Sequence, residues 1–421
     1  MKSIAVPWFA AFSLLAASAA SLADDWFERV DDFLTVSALH GKARARLSGT
    51  LDLEAYSMRQ PASGLIFTDR RSFFYPRLTL FLDAQLGPNV YVFAQGRADR
   101  GFDPGYEKSR AALDEYAIRF TPSEDGRFNF QIGKFATTAG NWAARHGSWE
   151  NPFITAPLPY ENLTGIWDSG PAGGLDELRG WAGLPMPGAS FTNADVLSSR
   201  RLRVPLIWGP SYTSGLALSG RIGKFEYAAE VKNSGLSSRP ESWDGTKVQW
   251  QHPAYSGRIG YRPTQNWNLG FSASTGSYLA PEVAAWLPPG AGLDDYRQTV
   301  LAQDISYAWH HWQVWAEVFE ARFEIPGVGH ADSIAYYIET KYKFTPQLFG
   351  AVRWGQHLFG TLPDGSDGSD RWGGDIWRAD IAMGYRFTDF SQLKLQYSIE
   401  NRQVDGGGFA NMLGAQCTLR F

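Results

Sequence analysis

The chain has 421 residues, with 39 Lys and Arg against 43 Asp and Glu and a formal net charge of −4 at pH 7. This balance gives no basis for binding nucleic acid, and the single cysteine, Cys417, excludes an internal disulfide or a thiolate metal cluster. Mean hydropathy is −0.28, typical of a soluble protein. The aromatic share of 15% and the 44 glycines nevertheless favour a membrane β-barrel, because barrel strands alternate apolar and polar residues and keep the average hydropathy low.

Residues 1–23 have the order of a secretory signal peptide. Lys2 precedes an apolar run that reaches Ala20, and the first acidic residues follow at Asp24 and Asp25. We place cleavage after Ala23, which leaves 38 Lys and Arg against 43 Asp and Glu. The alternative, an amino-terminal membrane helix, lacks a stop-transfer pattern, and no later apolar stretch reaches the length of about 18 residues that a membrane helix needs.

A change of sequence period marks the start of the barrel. Residues 24–40 predict a short periplasmic lead-in, either with a helix over 24–34 or as a disordered segment. The barrel is predicted over 41–421, where the period becomes two. In the first strand the apolar face carries Leu47, Leu51, Leu53 and Ala55, and the polar face carries Arg46, Ser48, Asp52 and Glu54.

The alternating segments number about sixteen, and their connections alternate in length. Short connections, such as residues 263–266 and His310 with His311, interleave with longer ones, such as 279–294 and 324–332. A tandem of β-sandwich domains is the aqueous alternative, but it does not predict this regularity. The pattern favours an all-β fold, a transmembrane antiparallel up-and-down β-barrel with short periplasmic turns and long outer loops.

One long insertion interrupts the barrel pattern, over residues 136–210. Counting connections places it as the third outer loop, between the fifth and sixth strands, from where it is able to fold inward and narrow the lumen. The loop is therefore the predicted constriction. Its residues either contact the solute or fix the loop to the wall, and the two roles are compatible. The candidates are Trp142, Arg145, His146, Trp149, Glu150 and Asn151.

Strand parity places both positive and negative charges on the lumen face. Arg44, Arg46, Arg97 and Arg119 are the candidate pore arginines, since arginine binds phosphate and carboxylate groups in a bidentate manner and rings of it favour anions. The near-equal number of inward acids leaves a second interpretation open, a lattice of salt bridges that stiffens the wall.

The last strand ends in an apolar alternation that includes Leu419 and finishes at Phe421. This pattern resembles the carboxy-terminal signature of outer-membrane proteins, which implies recognition by the barrel assembly machinery. In lipid an open sheet edge would leave backbone groups without partners, so we expect this strand to pair with the first one.

Signals for catalysis and metal binding are weak. The chain has no G-x-S-x-G motif, and the spacing of His146 and Ser148 does not establish a nucleophile with its base. Asp364, Asp367 and Asp370 could supply oxygen ligands to Ca²⁺, but their order does not match a helix-loop-helix calcium loop, and a solvated acidic loop is the preferred interpretation. We predict no cofactor and no enzymatic activity.

The run LDEYAIRFTPSEDGRFNFQIGKF at 113–135, followed by a long loop, resembles Gram-negative porins, and Tyr116 to Phe135 is similar to the phosphate-selective porin O/P type. The resemblance implies a sixteen-stranded barrel in the outer membrane, often trimeric, with the third outer loop folded inward. Lipid and lipopolysaccharide would then surround it.

We expect passive diffusion of small hydrophilic solutes or ions, with a mild anion preference. Three alternatives stay open: a conduit that exports or imports polysaccharide or oligosaccharide, an outer-membrane lipid-modifying enzyme, and a structural or adhesive protein with long outer loops.

Overall fold

The structure is a computed structural model that describes residues 33–59, 64–68, 70–99, 110–184, 201–244, 250–365, 367–403 and 408–421. The predicted signal peptide and most of the predicted lead-in lie outside the described residues. None of the helices among the described residues has the length and apolar character needed to cross a bilayer.

Sixteen antiparallel strands form a closed barrel, as the alternation predicts. Each strand pairs with its neighbour in sequence, and the last pairs with the first, with Ala415 opposite Ala55. The strands are β2 (Ala43–Met58), β3 (Ser72–Leu86), β4 (Val90–Asp99), β5 (Arg110–Phe120), β6 (Asn129–Phe135), β7 (Thr213–Ile222), β8 (Phe225–Lys232), β9 (Ala254–Tyr261), β10 (Trp267–Ser277), β11 (Arg297–Trp309), β12 (Trp312–Ile325), β13 (Gly329–Lys343), β14 (Leu348–Phe359), β17 (Ile376–Arg386), β18 (Ser391–Arg402) and β19 (Phe409–Arg420).

Three further short strands lie outside the barrel sequence. β15 (Thr361–Pro363) and β16 (Ser369–Arg371) form a small hairpin between β14 and β17. β1 (Thr35–Ala38) pairs with the start of β2, where Val36 lies opposite Ala45. β19 pairs with β2 only as far as Thr50. β1 pairs with residues 43–46 on the same edge of β2, which would otherwise be unpaired. The backbone bond from Gly49 N to Phe421 O, 2.9 Å long, marks the junction between β1 and β19 on that edge.

The two faces of the barrel wall differ as the period of two requires. Outward side chains are apolar and exposed: the exposed fraction is 58% for Ile132, 62% for Ile259 and 61% for Ile381. Inward side chains include charged groups with no exposure, such as Glu339 and Lys394. This is the arrangement of a barrel that meets lipid outside and holds polar groups inside.

Connections at the two ends of the barrel differ in length. At one end, called here the short-turn end, strands join through brief turns such as His310 and His311 between β11 and β12. At the opposite, long-loop end the connections are longer, with one exception. The predicted long connection at 324–332 is wrong, because β12 and β13 continue across most of it and leave only residues 326–328 as the turn.

The longest connection, residues 136–212, runs from β6 to β7. It contains α1 (Leu158–Glu161) and α2 (Leu175–Ala182), and the part after α1 packs into the largest apolar cluster of the described residues, together with Phe319 and Phe323 of β12. The two ends of the insertion meet, since Thr137 N donates to the carbonyl oxygen of Pro210 at 3.0 Å. The insertion therefore begins and ends at one point of the wall.

Candidate functional site

The insertion first contacts the opposite wall at Glu317 of β12, a fully buried inward residue. One carboxylate oxygen of Glu317 accepts hydrogen bonds from the backbone N–H groups of Asn141 and Trp142, the latter at 3.1 Å. The other oxygen accepts the hydroxyl proton of Tyr160 at 2.6 Å. A carboxylate that accepts several hydrogen bonds binds its donors strongly. Glu317 therefore holds the loop at two places, at Asn141 with Trp142 and again at Tyr160.

Arg145 provides a second anchor. Its Nη1 atom donates to Glu339 Oε1 at 2.6 Å and its Nη2 atom donates to the Tyr337 hydroxyl at 3.0 Å. The guanidinium also lies 4.4 Å from the ring centre of Trp315. These contacts combine a buried ion pair with stacking on an aromatic face, so Arg145 holds the loop against β12 and β13.

Polar side chains of β14 and β18 hold the next part of the loop by its backbone. Lys394 Nζ donates to the carbonyl oxygens of Ser148 at 2.7 Å and Asn151 at 3.0 Å. Arg353 Nη1 donates to the carbonyl oxygen of Thr155 at 3.1 Å, and Gln396 Oε1 accepts the Ile154 N–H at 2.6 Å. These wall residues bind the loop mainly through its backbone, and Arg353 and Gln396 also donate to the Thr155 hydroxyl oxygen at 3.0 Å and 2.8 Å.

At α1 a carboxylate of the loop, that of Glu161, binds an arginine of the barrel wall. Glu161 forms an ion pair with Arg378 of β17, and Arg378 also lies 3.2 Å from Asp380. Burial raises the pKa of Glu161, and the neighbouring Arg378 guanidinium opposes that rise. The salt-bridge lattice expected from parity is therefore present, and it joins the insertion to the wall.

The opposite side of the loop faces a cavity of about 670 Å³ next to β2, β3 and β4. The loop supplies one wall of this cavity, and inward residues of the strands supply the other. Eight of the candidate residues line it: Arg46, Arg97, Trp142, His146, Trp149, Glu150, Asn151 and Phe421.

Two arginines of the strand wall belong to local ion pairs. Arg97 Nε lies 2.9 Å from Asp114 and 3.3 Å from Asp99. Arg77, which also lines the cavity, lies 3.2 Å from Asp52 and 2.7 Å from Glu54. Much of the charge along this wall is thus balanced at short range.

His146 lies between the loop backbone and Tyr212. Its Nδ1 atom is 2.6 Å from the carbonyl oxygen of Ala143 and its Nε2 atom is 2.5 Å from the Tyr212 hydroxyl. This geometry suits a neutral ring that donates from Nδ1 and accepts at Nε2. Burial lowers the pKa of His146 to about 4, so the ring is neutral at pH 7.

Trp149 lies between two arginines of the short-turn end. The guanidinium of Arg420 is 4.3 Å and that of Arg386 is 4.9 Å from its ring centre. Arg386 Nη2 also donates to the Trp149 carbonyl oxygen at 3.2 Å. Trp149 is only 7% exposed, so it holds the loop in place, whereas its neighbour Glu150 is exposed on the cavity side.

The other candidates, Arg44, Arg119 and Leu419, are not among the residues that line this cavity. Arg44 is at the short-turn end of β2, opposite Ser37 of β1. Arg119 lines a second cavity, of about 470 Å³. Leu419 pairs with Leu51 in the closing strand pair, and Phe421 pairs by its backbone with Gly49.

The acidic loop residues do not come together as a metal site. Asp370 forms an ion pair with Arg179 of α2, and Asp364 accepts the Gly368 N–H at 3.2 Å. The described residues contain no cluster of three His, Cys, Asp or Glu side chains that could hold a metal ion.

Some contributors to the site were not singled out from the sequence. Gln396, Tyr212 and Tyr337 hold or shape the loop, and parity could have found Tyr337, because it shares a strand face with Glu339. Parity also places Tyr91 and Phe93 in the lumen, on the face that carries Arg97.

No protein-family model matches the chain, and the comparison with curated proteins finds no match either. Solved structures do match the fold. The trimer form of OmpT, an outer membrane protein of Vibrio cholerae, has a TM-score of 0.53 at 10% identity, covering 90% of this chain and 99% of that one. The outer membrane channel DcaP of Acinetobacter baumannii has a TM-score of 0.51 at 12% identity, with 92% and 99% covered. An anion-selective porin from Comamonas acidovorans has a TM-score of 0.53 at 9% identity, with 90% and 100% covered.

Proposed function

We propose that the chain is an outer-membrane porin through which small hydrophilic solutes or ions diffuse passively. The observation that carries the proposal is the position of the insertion. Inside a closed barrel with an apolar outer surface, the loop packs against β12–β18 and faces a cavity with charged walls beside β2–β4. A polar path inside a lipid-facing barrel serves passage across a membrane.

The inserted loop acts as the constriction, and selectivity comes from its width and from the cavity charges. Trp142, His146, Glu150 and Asn151 form the loop side of the path. The other side comes from the wall arginines and their carboxylate partners. No step of this function makes or breaks a covalent bond. His146, the titratable ring of the loop, is held by Ala143 and Tyr212 and has the role of a structural residue.

The likeness of residues 113–135 to phosphate-selective porins and the fold shared with an anion-selective porin support a mild preference for anions. Several inward arginines are balanced by carboxylates, including Arg77, Arg97 and Arg258. That balance is the reason why the proposed preference is mild and why phosphate is not named as the solute.

A planar-bilayer recording tests the porin function. Purified protein refolded in detergent should insert in discrete conductance steps in KCl, and protein denatured by heating before addition should give none. If the folded protein inserts into liposomes and carries no current, passive diffusion is wrong, and an outer-membrane enzyme or adhesive protein becomes the better assignment.

A homotrimer is the proposed assembly. At the short-turn end, outward aromatic pairs mark the membrane interface along β8–β18, whereas β2–β4 carry small or aliphatic residues there. One of the compared structures is a trimer form. The aromatic pairs are Phe225 with Tyr261, Trp267 with Tyr307, Trp312 with Tyr342 and Tyr385 with Phe387.

The side without aromatic pairs is the proposed subunit interface. Ala45→Trp adds an interfacial aromatic, which a lipid-facing surface accepts and a packed interface does not. The trimer mass measured by light scattering should therefore fall toward that of a monomer while the barrel stays folded. An unchanged mass would place the interface elsewhere or show that the protein is monomeric from the start.

A further inference from the structure

A second cavity of about 470 Å³ lies against β3–β7, and the start of the insertion, Ala136 and Thr138, contributes to its lining. It shares Phe81 and Gln95 with the larger cavity, so the two are neighbours along one wall. Its volume is within the range of about 300–1,000 Å³ found for small-molecule sites. None of the contacts that hold the loop on β12–β18 uses this cavity.

Four aromatic residues line this cavity. Phe135 of β6 is buried, and the other three are Phe81 of β3 and Tyr91 and Phe93 of β4. The rings of Tyr91 and Phe93 are stacked, with centroids 5.8 Å apart and an interplanar angle of 29°. All three residues are partly exposed, unlike inward aromatics such as Phe319, which the insertion covers completely. Aromatic surface left open to a polar lumen is unfavourable unless something else covers it.

Polar groups surround the aromatic surface. Arg119 lies with its guanidinium carbon 5.7 Å and 5.8 Å from the centres of Tyr91 and Phe93, and its Nε donates to Gln131 Oε1 at 3.0 Å. Asp83 accepts the Tyr91 hydroxyl proton. Glu115 accepts the Ala136 N–H at 2.8 Å. The cavity therefore offers both donors and acceptors around an apolar face.

The charge of the cavity selects among ligand classes. Two carboxylates, Asp83 and Glu115, stand against one guanidinium, Arg119, so a small anion gains little there. A purely apolar ligand would displace water from these polar groups without replacing the hydrogen bonds that the water makes. A ring with hydroxyl groups covers the apolar surface and also satisfies the polar groups. Its C–H face packs on the aromatic rings, while its hydroxyls donate to the carboxylates and accept from the guanidinium.

We infer that this cavity is a binding subsite for neutral, polyhydroxylated ring compounds of the sugar class, placed on the wall beside the constriction. The inference rests on the proposed porin function, and it adds a solute class to it. Phe81, Tyr91 and Phe93 form the apolar platform, and Asp83, Glu115 and Arg119 bind the hydroxyl groups. Such a subsite raises the local concentration of the solute next to the path.

Saturation-transfer NMR on the full-length protein in detergent tests the subsite without reference to conductance. The probes are maltotriose, sorbitol as a polyol without a ring face, and benzoate as a flat anion. Maltotriose should bind more tightly than either of the others. Phe93→Ala should raise its dissociation constant about three- to tenfold, because aromatic contacts contribute about 0.5–1.5 kcal/mol.

Two further variants separate ring stacking from a folding defect. Phe93→Leu keeps an apolar side chain but removes the ring, so it should weaken maltotriose binding as Phe93→Ala does. Phe130→Ala removes a ring that is 50% exposed on the outer surface and should leave binding unchanged. Equal binding by all three variants and the original protein, or tighter binding of benzoate than of maltotriose, would overturn the subsite.

Conductance in KCl without sugar separates this inference from the porin proposal. Protein that conducts but does not bind maltotriose keeps the porin function and loses the subsite. Protein that binds maltotriose at Phe93 but does not conduct keeps the subsite and loses the porin function.

Discussion

Arg145 is the residue whose removal should release the loop most directly. Arg145→Ala removes the bond to Glu339, the bond to Tyr337 and the stacking on Trp315, and it leaves Glu339 buried with only Arg353 at 3.6 Å. Breaking a buried pair from one side costs about 3 kcal/mol, so the detached loop should become roughly a hundredfold more populated. Limited proteolysis within residues 136–184 measures this population.

The matched control is Arg322→Ala. Arg322 and Asp332 form an ion pair of 2.7 Å, but both side chains are about half exposed, at 49% and 52%. Exposed pairs contribute about 0–1 kcal/mol, so this variant should be cleaved at the original rate. Cleavage of Arg145→Ala at the control rate would show that the other anchors, such as Glu317 and Lys394, suffice to hold the loop.

His146 should make the loop sensitive to acid. The pKa of His146 is lowered to about 4, from about 6.5 in the unfolded chain. The folded state thus favours the neutral ring, and its stability is complete above pH 6.5 and falls as the pH drops from 6.5 toward 4. The loss is on the order of 3 kcal/mol. Below pH 4 the protonated ring no longer accepts the Tyr212 hydroxyl proton.

Proteolysis of the loop between pH 7 and pH 4, with an acid-active protease for the lower range, measures this effect. His146→Gln can donate and accept but does not titrate, so its cleavage rate should vary less over the same range. An equal pH dependence in both proteins would assign the acid sensitivity to another group.

At the scale of elements, the whole insertion can be deleted, because its two ends lie next to each other. Because Thr137 N bonds to Pro210 O, and Phe135 pairs with Thr213, residues 138–210 can be replaced by a short Gly-Ser link with little strain on β6 and β7. The barrel should fold, and single-channel conductance should roughly double or increase further as the constriction is lost. Unchanged conductance in a folded barrel would show that the loop does not limit the current.

Strands were predictable from the sequence because a period of two is a local signal. The parity of β2, with Leu51 outward and Asp52 inward, follows directly from it. The connection predicted over 324–332 is wrong because β12 and β13 stay paired through Glu324 and His330, which leaves only residues 326–328 as the turn.

The path of the insertion was only partly predictable. Its position as third outer loop follows from counting strands, and the period of two is enough to place Glu317, Glu339 and Lys394 on the inward faces of their strands. Their partners could not be read from the sequence, since the wall binds mainly loop backbone, such as the carbonyl oxygens of Ser148 and Asn151. Backbone acceptors are present in every sequence and carry no local signal.

At the scale of the whole molecule, the chain is acidic, whereas the larger cavity is lined by equal numbers of arginine and carboxylate side chains. The chain carries −4, yet in the larger cavity Arg77 and Arg97 are paired with carboxylates. Arg420 instead donates to the backbone oxygen of Asp389, and no carboxylate of the described residues forms an ion pair with it. Glu150 on the loop lines the same cavity and carries the opposite charge. The sign of ion selectivity should therefore depend on a few residues.

Reversal potentials under a KCl gradient test this dependence. Arg420→Gln should lower the chloride-to-potassium permeability ratio and Glu150→Gln should raise it, each by about 1.5- to 2-fold, because each removes one charge from the path. Both effects should be clear near 0.1 M salt, where the screening length is about 10 Å, and weak near 1 M, where it is about 3 Å. Lys224→Gln, at the turn between β7 and β8, is the control for a charge outside the cavity. If both variants match this control at low salt, the larger cavity is not the route that ions take.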